Sequence, residues 1–382
     1  MLLIRNGKLF TMEGEYYLDG ADILIQEGKI AAVGRNLSAP GAKAIDATGQ
    51  YVMPGIVDAH SHIGMWEDGI GEEGSDGNEI TDPVTPQLRA LDAINPADRS
   101  FVEAYEHGVT LVATGPGSAN VIGGQFVAMK TFGKNMDDMV VAEPLAMKSA
   151  FGENPKRCYG GKGKMPETRM ATAAVMREAL FAAREYLQKM AGPEDKRPAF
   201  DLKKDALAKV LRREIPLKMH AHRADDILTA IRIAREFQLN YSIEHCTEGY
   251  LITEDLKRAG AKCILGPLLT DRSKIELRNL SFSAPRVLYE AGIKFALMTD
   301  HPVIPEHYIA VEAAICAREG LPEIEALKAI TINAAEILGL DGRFGSLTPG
   351  KDADIALYDG HPLDARSHVT HTLVNGEVVF ER

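Results

Sequence analysis

A strand-then-helix rhythm runs through the middle of the chain, where short apolar segments alternate with longer amphipathic ones. The predicted strands are Ile56–His60, Thr110–Thr114, Met139–Ala142, Leu145–Ala150, Leu217–Ala221, Tyr241–His245, Lys262–Leu265 and Lys294–Thr299. The predicted helices are Thr168–Gln188, Ala224–Glu236, Glu254–Arg258 and 323–338. This alternation is typical of βαβ units around a parallel sheet. Over residues 54–343 it favours an α/β fold, a (β/α)8 TIM barrel with insertions.

The two ends of the chain follow a different pattern. Residues 1–53 and 344–382 consist of short strands separated by glycines, and Asn375-Gly376 is typical of a tight hairpin turn. Neither end has enough apolar residues to form a core by itself. We therefore predict a small discontinuous β-sandwich domain built from both termini, residues 1–53 plus 344–382, beside a barrel domain at residues 54–343.

Composition narrows the class of protein. The chain of 382 residues is 45% hydrophobic and 25% charged, which is ordinary for a globular protein with a large core. A formal net charge of −11 disfavours nucleic acid as a partner, because a phosphate backbone attracts a basic surface. No apolar run approaches the roughly 20 residues of a membrane-spanning helix, and the N-terminus lacks the pattern of an export signal. Four widely spaced cysteines indicate reduced thiols, so we predict a cytoplasmic protein with no membrane association.

Polar residues interrupt the apolar pattern where several predicted strands end. They are His60, His62, Lys148, His220, His222, His245 and Asp300. Residues two apart in a strand point to the same face, so each His-x-His pair places two imidazoles side by side. Because barrel active sites lie at the C-terminal ends of the strands, this set predicts a metal site. Taken singly, a histidine there could be hydrogen-bonded in the core, Asp300 could cap a helix, and Lys148 could extend to solvent.

Five motifs extend this interpretation over the whole chain. They are Pro54–His62, Glu244-His245, Thr299-Asp300, Thr331–Leu340 and Gly345–Ile355. As a set they resemble the amidohydrolase superfamily of metal-dependent hydrolases, and in particular its imidazolonepropionase-like and dipeptidase-like branch. The last motif contains Gly-Lys-Asp-Ala-Asp and looks like the segment that returns the chain to the β-sandwich in that superfamily.

The resemblance implies a role for each polar residue. The implied metal ligands are His60, His62, Lys148, His220, His245 and Asp300, and the implied catalytic residues are Asp300, His245 and His222. His60 and His62 would bind the more buried ion together with Asp300, and the other two ligand histidines would hold a second ion. Lys148 would bridge the two ions if carboxylated, because a carbamate oxygen can bind a metal and an ammonium cannot. His222 matches no ligand position and could contact substrate or simply pack.

These roles predict hydrolysis of a carbon–nitrogen bond. Imidazole and carboxylate ligands suit Zn²⁺, as one or two ions, with Mn²⁺ or Fe²⁺ as alternatives. Bound metal lowers the pKa of its water and makes hydroxide available, while Asp300 would accept the proton and return it to the leaving nitrogen. We expect a small-molecule substrate, an amide or cyclic amide, and a homo-oligomeric protein.

Several alternatives stay open. One is a mononuclear deaminase or an imidazolone-type ring hydrolase. Deaminases of this kind usually carry a glutamate soon after the histidine of the fifth barrel strand, here His220, but the segment His220–Asp226 has no glutamate. In a mononuclear site, Lys148 would pair with an acidic neighbour such as Asp58 or Glu143. In a binuclear site, Glu153 could replace Lys148 as the bridging ligand. The last alternative is a non-catalytic scaffold, although every expected type of ligand is present.

Three segments after the strands are candidates for substrate selection. Residues 65–96 are acidic and glycine-rich, and they form either a lid over the site or a solvated loop. Residues 115–124 are predicted to be a glycine-rich turn that forms a wall of the pocket. Residues 151–165 hold a cluster of lysines and an arginine, which would bind a substrate carboxylate or face solvent.

Overall fold

The computed structural model describes all 382 residues. The chain begins with β1 (Leu2–Phe10), β2 (Tyr17–Gln26), β3 (Lys29–Gly34), β4 (Lys43–Asp46) and β5 (Tyr51–Pro54). It continues with β6 (Ile56–Ser61), β7 (Val109–Thr114), β8 (Ile122–Lys130), β9 (Val140–Ala150), β10 (Leu217–Ala221), β11 (Tyr241–His245), β12 (Lys262–Leu265) and β13 (Phe295–Leu297). It ends with β14 (Ile355–Tyr358), β15 (Val369–Val374) and β16 (Glu377–Glu381).

Eleven α-helices surround the second set of strands or connect it to the ends of the chain. They are α1 (Arg99–Glu106), α2 (Met136–Met139), α3 (Glu153–Gly160), α4 (Arg169–Met190), α5 (Leu202–Leu211), α6 (Ala224–Phe237), α7 (Thr253–Ala259), α8 (Ala284–Glu290), α9 (Ile309–Arg318), α10 (Glu323–Ala329) and α11 (Ile332–Leu338). The predicted helix at 323–338 is therefore two helices, which Ile330 and Thr331 separate. None of the helices combines the length and apolarity that crossing a membrane requires.

Strands β6 to β13 form one eight-stranded sheet in sequence order, and its ends meet. The amide of Asp300 donates to the carbonyl of His60 at 3.2 Å, and the amide of His62 donates to the carbonyl of His301 at 3.0 Å. Every residue of β6, β7, β8 and β10 is buried, as expected for strands that are covered on both faces. The α/β barrel with a separate small sheet is confirmed.

One strand of the barrel, β8, is antiparallel to its neighbours, which differs from the parallel sheet that the sequence predicts. β8 pairs antiparallel with both β7 and β9, so residues 115–124 are a short loop followed by the first residues of a strand. A parallel crossover needs a dozen or more residues, and only seven separate β7 from β8, so the chain turns straight back. The two predicted strands at 139–150 are a single strand, β9, whose register shifts where Pro144 interrupts the pairing.

The other strands form a second sheet in the order β16-β15-β14-β5-β1-β2-β3, with β4 also paired to β1. β14, from the C-terminal end, pairs antiparallel with β5, from the N-terminal end. Side chains from both ends share one apolar core, which includes Ile4, Ile23, Val52, Ile355 and Leu373. The strands of the two ends thus belong to one sheet, while the domain boundaries at 53/54 and 343/344 stay predictions.

Candidate metal centre

The predicted polar residues converge at the C-terminal end of the barrel. His60 lies near the end of β6 and His62 directly follows it, while His220 lies near the end of β10 and His222 directly follows it. Lys148 lies in β9, His245 ends β11, and Asp300 follows β13. Three residues here that are not glycine have left-handed backbone conformations: His245 (φ 67°), Cys246 (φ 49°) and Asp300 (φ 53°). Strained backbone of this kind is found mainly where the surrounding structure holds a functional group in place.

Asp300 lies between the two histidines of β6. Its Oδ1 is 3.1 Å from His62 Nε2 and 3.5 Å from His60 Nε2. Lys148 Nζ lies 2.9 Å from the same His60 Nε2. Thr299, the residue before Asp300, is held in place because its amide and its hydroxyl donate to Asp58 Oδ2 at 2.8 and 2.7 Å. These contacts bring together four of the predicted ligands.

The three remaining histidines form a second group next to the first. The ring centroids of His220, His222 and His245 are 4.2 to 4.7 Å apart. One nitrogen from each lies within 4.8 Å of the others, and the same spacing joins His245 to His60 and Asp300. His245 is therefore within reach of both groups. His222, which matched no ligand position in the sequence, lies as close to its neighbours as the predicted ligands do.

Hydrogen bonds to Nδ1 orient four of the imidazoles. The partners are Glu244 Oε2 for His60 (2.6 Å), the carbonyl of Gly115 for His62 (2.6 Å), the carbonyl of Gly266 for His245 (2.8 Å) and Thr247 Oγ1 for His222 (2.8 Å). A histidine that donates its Nδ1 hydrogen leaves Nε2 free to bind a metal. Glu244 is in turn paired with Lys218 Nζ at 2.8 Å. Hydrogen bonds of this kind, from the outward-facing nitrogen of a histidine to a carboxylate or a carbonyl, are those that orient ligand histidines in metal sites.

Burial sets the charge of these groups. It lowers the pKa of His60, His220 and His245 well below the usual value, and that of His222 to about 3, so all four imidazoles are neutral at neutral pH. Burial also lowers the pKa of Lys148 to about 8. At Asp300 burial by itself would raise the pKa, but the hydrogen bond with His62 and the charge of Lys148 outweigh it and keep the pKa below its usual range.

Unpaired polar atoms test whether a cation fits here. His220 Nδ1, His222 Nε2 and Glu276 Oε1 are buried and have no hydrogen-bond partner. Buried polar atoms without partners are rare because each costs the energy of removing it from water. A cation would satisfy such lone pairs, and imidazole nitrogens with carboxylate oxygens are the donors that Zn²⁺ prefers. The residues present therefore fit a divalent metal.

Two buried residues that the sequence did not single out belong to this centre. Lys218 Nζ contacts Glu244 and donates to the carbonyl of Ala59 at 3.0 Å. Its position two residues before His220, on the same face of β10, was the available signal. Glu276 lies beside His220 and His222 on a 3-10 turn at Ile275–Leu277. No pattern marks it, because it lies in an irregular loop after β12.

The alternative partners proposed for Lys148 and for the bridging position lie elsewhere. Glu143 pairs with Arg89 at 2.8 Å, and Asp58 accepts from Thr299. Glu153 begins α3, where its carboxylate lies 3.5 Å from Arg157 and its amide donates to Glu276. Asp58 also accepts from the amide of His60, but of the two candidates for the bridging position, Lys148 and Glu153, Lys148 is the one that contacts the imidazole of a predicted ligand, His60.

The segment at 65–96 lies against the centre. The ring of Trp66 packs on that of His62 with centroids 5.1 Å apart. Asp82 anchors the segment, since its carbonyl accepts from Tyr159 at 2.9 Å and its carboxylate contacts Lys203 at 2.6 Å. Two lysines of the 151–165 cluster also hold this segment: Lys162 and Lys164 donate to the carbonyls of Ile80 and Thr81 at 3.0 and 3.5 Å. These contacts hold the segments 65–96 and 151–165 against each other, and the sequence predicts that both select substrate.

Fold and site together define a barrel protein with a candidate metal centre at the C-terminal ends of its strands. The sequence profile of the amidohydrolase family matches residues 51–379, and the chain belongs to this family of hydrolases. A solved structure of an amidohydrolase from Thermotoga maritima MSB8 is 46% identical, covers 100% of both chains and superimposes with a TM-score of 0.97.

Two curated relatives show the range of the family. The amidohydrolase tasK of Hapsidospora irregularis is 29% identical over 94% of this chain, which spans only 40% of that relative. An imidazolonepropionase of Polaromonas sp. (strain JS666 / ATCC BAA-500) is 27% identical, and the alignment covers 88% of this chain and 82% of the relative.

Proposed function

We propose that this protein is a Zn²⁺-dependent hydrolase that cleaves the carbon–nitrogen bond of an amide or cyclic amide. The observation that carries the proposal is the position of Asp300, 3.1 Å from His62 Nε2 and 3.5 Å from His60 Nε2 at the C-terminal end of the barrel. A carboxylate there can serve the metal centre and exchange a proton with substrate. Family membership and the similarity to an imidazolonepropionase support the type of bond.

The residues that would hold metal fall into two sets. His60, His62 and Asp300 form one, and His220 with His245 forms the other. Zn²⁺ at such a centre makes a water molecule more acidic and polarises a carbonyl oxygen. The chain itself keeps His60, His220 and His245 neutral by burying them and orients His60, His62 and His245 through Nδ1 hydrogen bonds. It also places Lys148 next to the first set.

Asp300 would carry the proton. Because its pKa lies below the usual range, the side chain is a carboxylate at neutral pH and can accept a proton from water. The same carboxylic acid then donates that proton to the nitrogen that leaves, which restores the starting state. The left-handed backbone at this position holds the carboxylate over the ends of β6 and β13.

Lys148 would become a carbamate that bridges the two ions. Its buried side chain has a pKa lowered to about 8, so about a tenth of it is neutral amine at pH 7, far more than for an exposed lysine. That amine can add to CO₂ and release a proton, which gives a carbamate with two oxygen donors.

The intact mass of metal-loaded protein under native conditions should then exceed the sequence mass by one CO₂. We expect Lys148→Ala to lose most turnover and to recover part of it with added short-chain carboxylic acids. A parent without the added mass, or a Lys148→Ala variant of normal turnover, would contradict the bridge.

Substrate screening tests the proposed function as a whole. N-acyl amino acids, dipeptides and cyclic amides should be assayed with Zn²⁺ or Mn²⁺ present, and product formation should disappear after chelation. Release of ammonia from an amino-substituted ring would indicate the deaminase instead. Protein that remains folded and takes up no metal would support the scaffold.

We also propose a cytoplasmic location and a homo-oligomeric assembly. All four cysteines are free, and three of them are buried, which is compatible with a reducing compartment. Light scattering after size-exclusion chromatography would measure the number of subunits.

A further inference from the structure

Glu276 lies in the irregular loop after β12, and its carboxylate lies beside His220 and His222. The side chain is only 1% exposed. Its Oε2 accepts a hydrogen bond from the amide of Glu153 at 2.9 Å, at the start of α3. Its Oε1 lies 3.7 Å from His222 Nε2 and 3.9 Å from His220 Nε2, and it has no hydrogen-bond partner. One oxygen thus serves a helix, and the other points at two imidazoles.

No cationic side chain contacts Oε1, although Lys274 lies near enough to lower the pKa of His220 and His222. No lysine or arginine forms a salt bridge with Glu276; its only charged-pair contacts are the two histidines. Nδ1 of His222 is engaged with Thr247, and its Nε2 is unpaired. When Nδ1 donates its hydrogen to Thr247, Nε2 presents a lone pair to the unpaired carboxylate oxygen. Such an arrangement is unfavourable unless a cation lies between the two atoms.

We propose that Glu276 is a metal ligand and that it completes, with His220, His222 and His245, a four-donor site. The proposal rests on the proposed metal dependence and extends it, since the resemblance assigned only His220 and His245 to this ion. Two ligands of one tetrahedral Zn²⁺ lie about 3.4 Å apart, given metal–ligand distances near 2.0–2.1 Å. The separations of 3.7 and 3.9 Å from His222 and His220 require only a small approach of the carboxylate. Glu276 is not part of the group of three histidine nitrogens within 4.8 Å of one another, so its oxygen must also move toward His245.

Four donors from these side chains would leave no position for water at this ion, whether or not the proposed Lys148 carbamate also binds it as a fifth donor. Zinc sites closed in this way are structural, whereas catalytic sites keep a position open for water or substrate. The ion beside Glu276 would therefore bind more tightly and exchange more slowly than an ion held by His60, His62 and Asp300. The ion held at the ends of β10 and β11 would then have a structural role, and the ion held at the ends of β6 and β13 would take part in hydrolysis.

Zinc affinity of the Glu276→Gln variant tests the assignment. The amide oxygen of glutamine can still accept from the amide of Glu153, so the start of α3 keeps its partner. Metal-free protein should be titrated with Zn²⁺ against a chromophoric chelator, and with Co²⁺ while its visible absorption is recorded. We expect the tightest site to weaken by about 10- to 100-fold or more, because loss even of a group that only supports a ligand costs this much. The intensity of the Co²⁺ bands should change as a ligand is lost.

Glu312→Gln is the matched control. Glu312 is fully buried, accepts from the amide of Leu268, and leaves Oε2 unpaired, which reproduces the surroundings of Glu276 without the histidines. Its variant should bind Zn²⁺ and Co²⁺ as the parent does. Thermal unfolding of the metal-free proteins should be compared as well. If Glu276→Gln does not fold, Glu276→Asp keeps the charge, withdraws the oxygen, and should show the same loss of affinity.

A double-mutant cycle gives the decisive comparison. If Glu276 and His222 bind the same ion, the losses in Glu276→Gln and His222→Asn should not add in the double variant. Parental affinity and an unchanged Co²⁺ spectrum in Glu276→Gln would overturn the assignment, while metal binding by the parent would leave the proposed function intact. A parent that binds no metal would remove both.

Discussion

At the scale of single residues, Asp300 combines a strained backbone with a contact to both histidines of β6. Asn is an informative replacement, because it keeps the shape of the side chain and tolerates the left-handed conformation better than most residues. Asp300→Asn should leave the metal content near that of the parent and lower kcat by about 10²- to 10⁴-fold, the usual contribution of a general acid–base group. Metal analysis and turnover on the best substrate of the screen measure the two effects. Turnover within a few-fold of the parent would mean that another group accepts the proton.

At the scale of elements, the segment at 65–96 carries the only tryptophan of the chain, and that residue reports on the centre. Gly77 packs flat against Trp66, and a Cβ at this glycine would lie 1.9 Å from the indole ring. Gly77→Ala should therefore displace Trp66 from His62, shift the tryptophan emission to longer wavelength and alter KM. The control is Gly342→Ala, since a Cβ there meets no atom within 4 Å. An emission spectrum and a KM equal to those of the parent would show that the segment does not depend on this contact.

At the scale of the whole molecule, a buried lysine joins the barrel to the terminal sheet. Lys130, at the end of β8, contacts Asp352 at 3.1 Å and Asp354 at 2.9 Å. Lys130→Met keeps most of the length and leaves Asp354 buried without its cation, so we expect a loss of about 3–5 kcal/mol in the free energy of unfolding. Lys134→Met, at an exposed site a few residues further on, should change little. Urea denaturation measures both variants, and a loss below about 1 kcal/mol at Lys130 would contradict the role of this contact.

The sequence by itself determined the features that depend on short-range pattern. Apolar segments marked most of the barrel strands, and His-x-His spacing placed His60 beside His62 because strand geometry fixes residues two apart on one face. Closure of the sheet then brought Asp300 between them, as the order of strand ends had indicated.

Only the tertiary structure decided the features that depend on which distant segments meet. β8 was missed because Gly123-Gly124 has the local signal of a turn, whereas the short connection to β7 and the pairing with β9 make it a reversed strand. Glu276 and Lys218 became part of the centre through contacts with residues far away in the chain, Glu276 with the histidines of β10 and Lys218 with Glu244. A carboxylate in an irregular loop has no periodicity to reveal its direction, so its role follows from the closed barrel that places it beside two imidazoles.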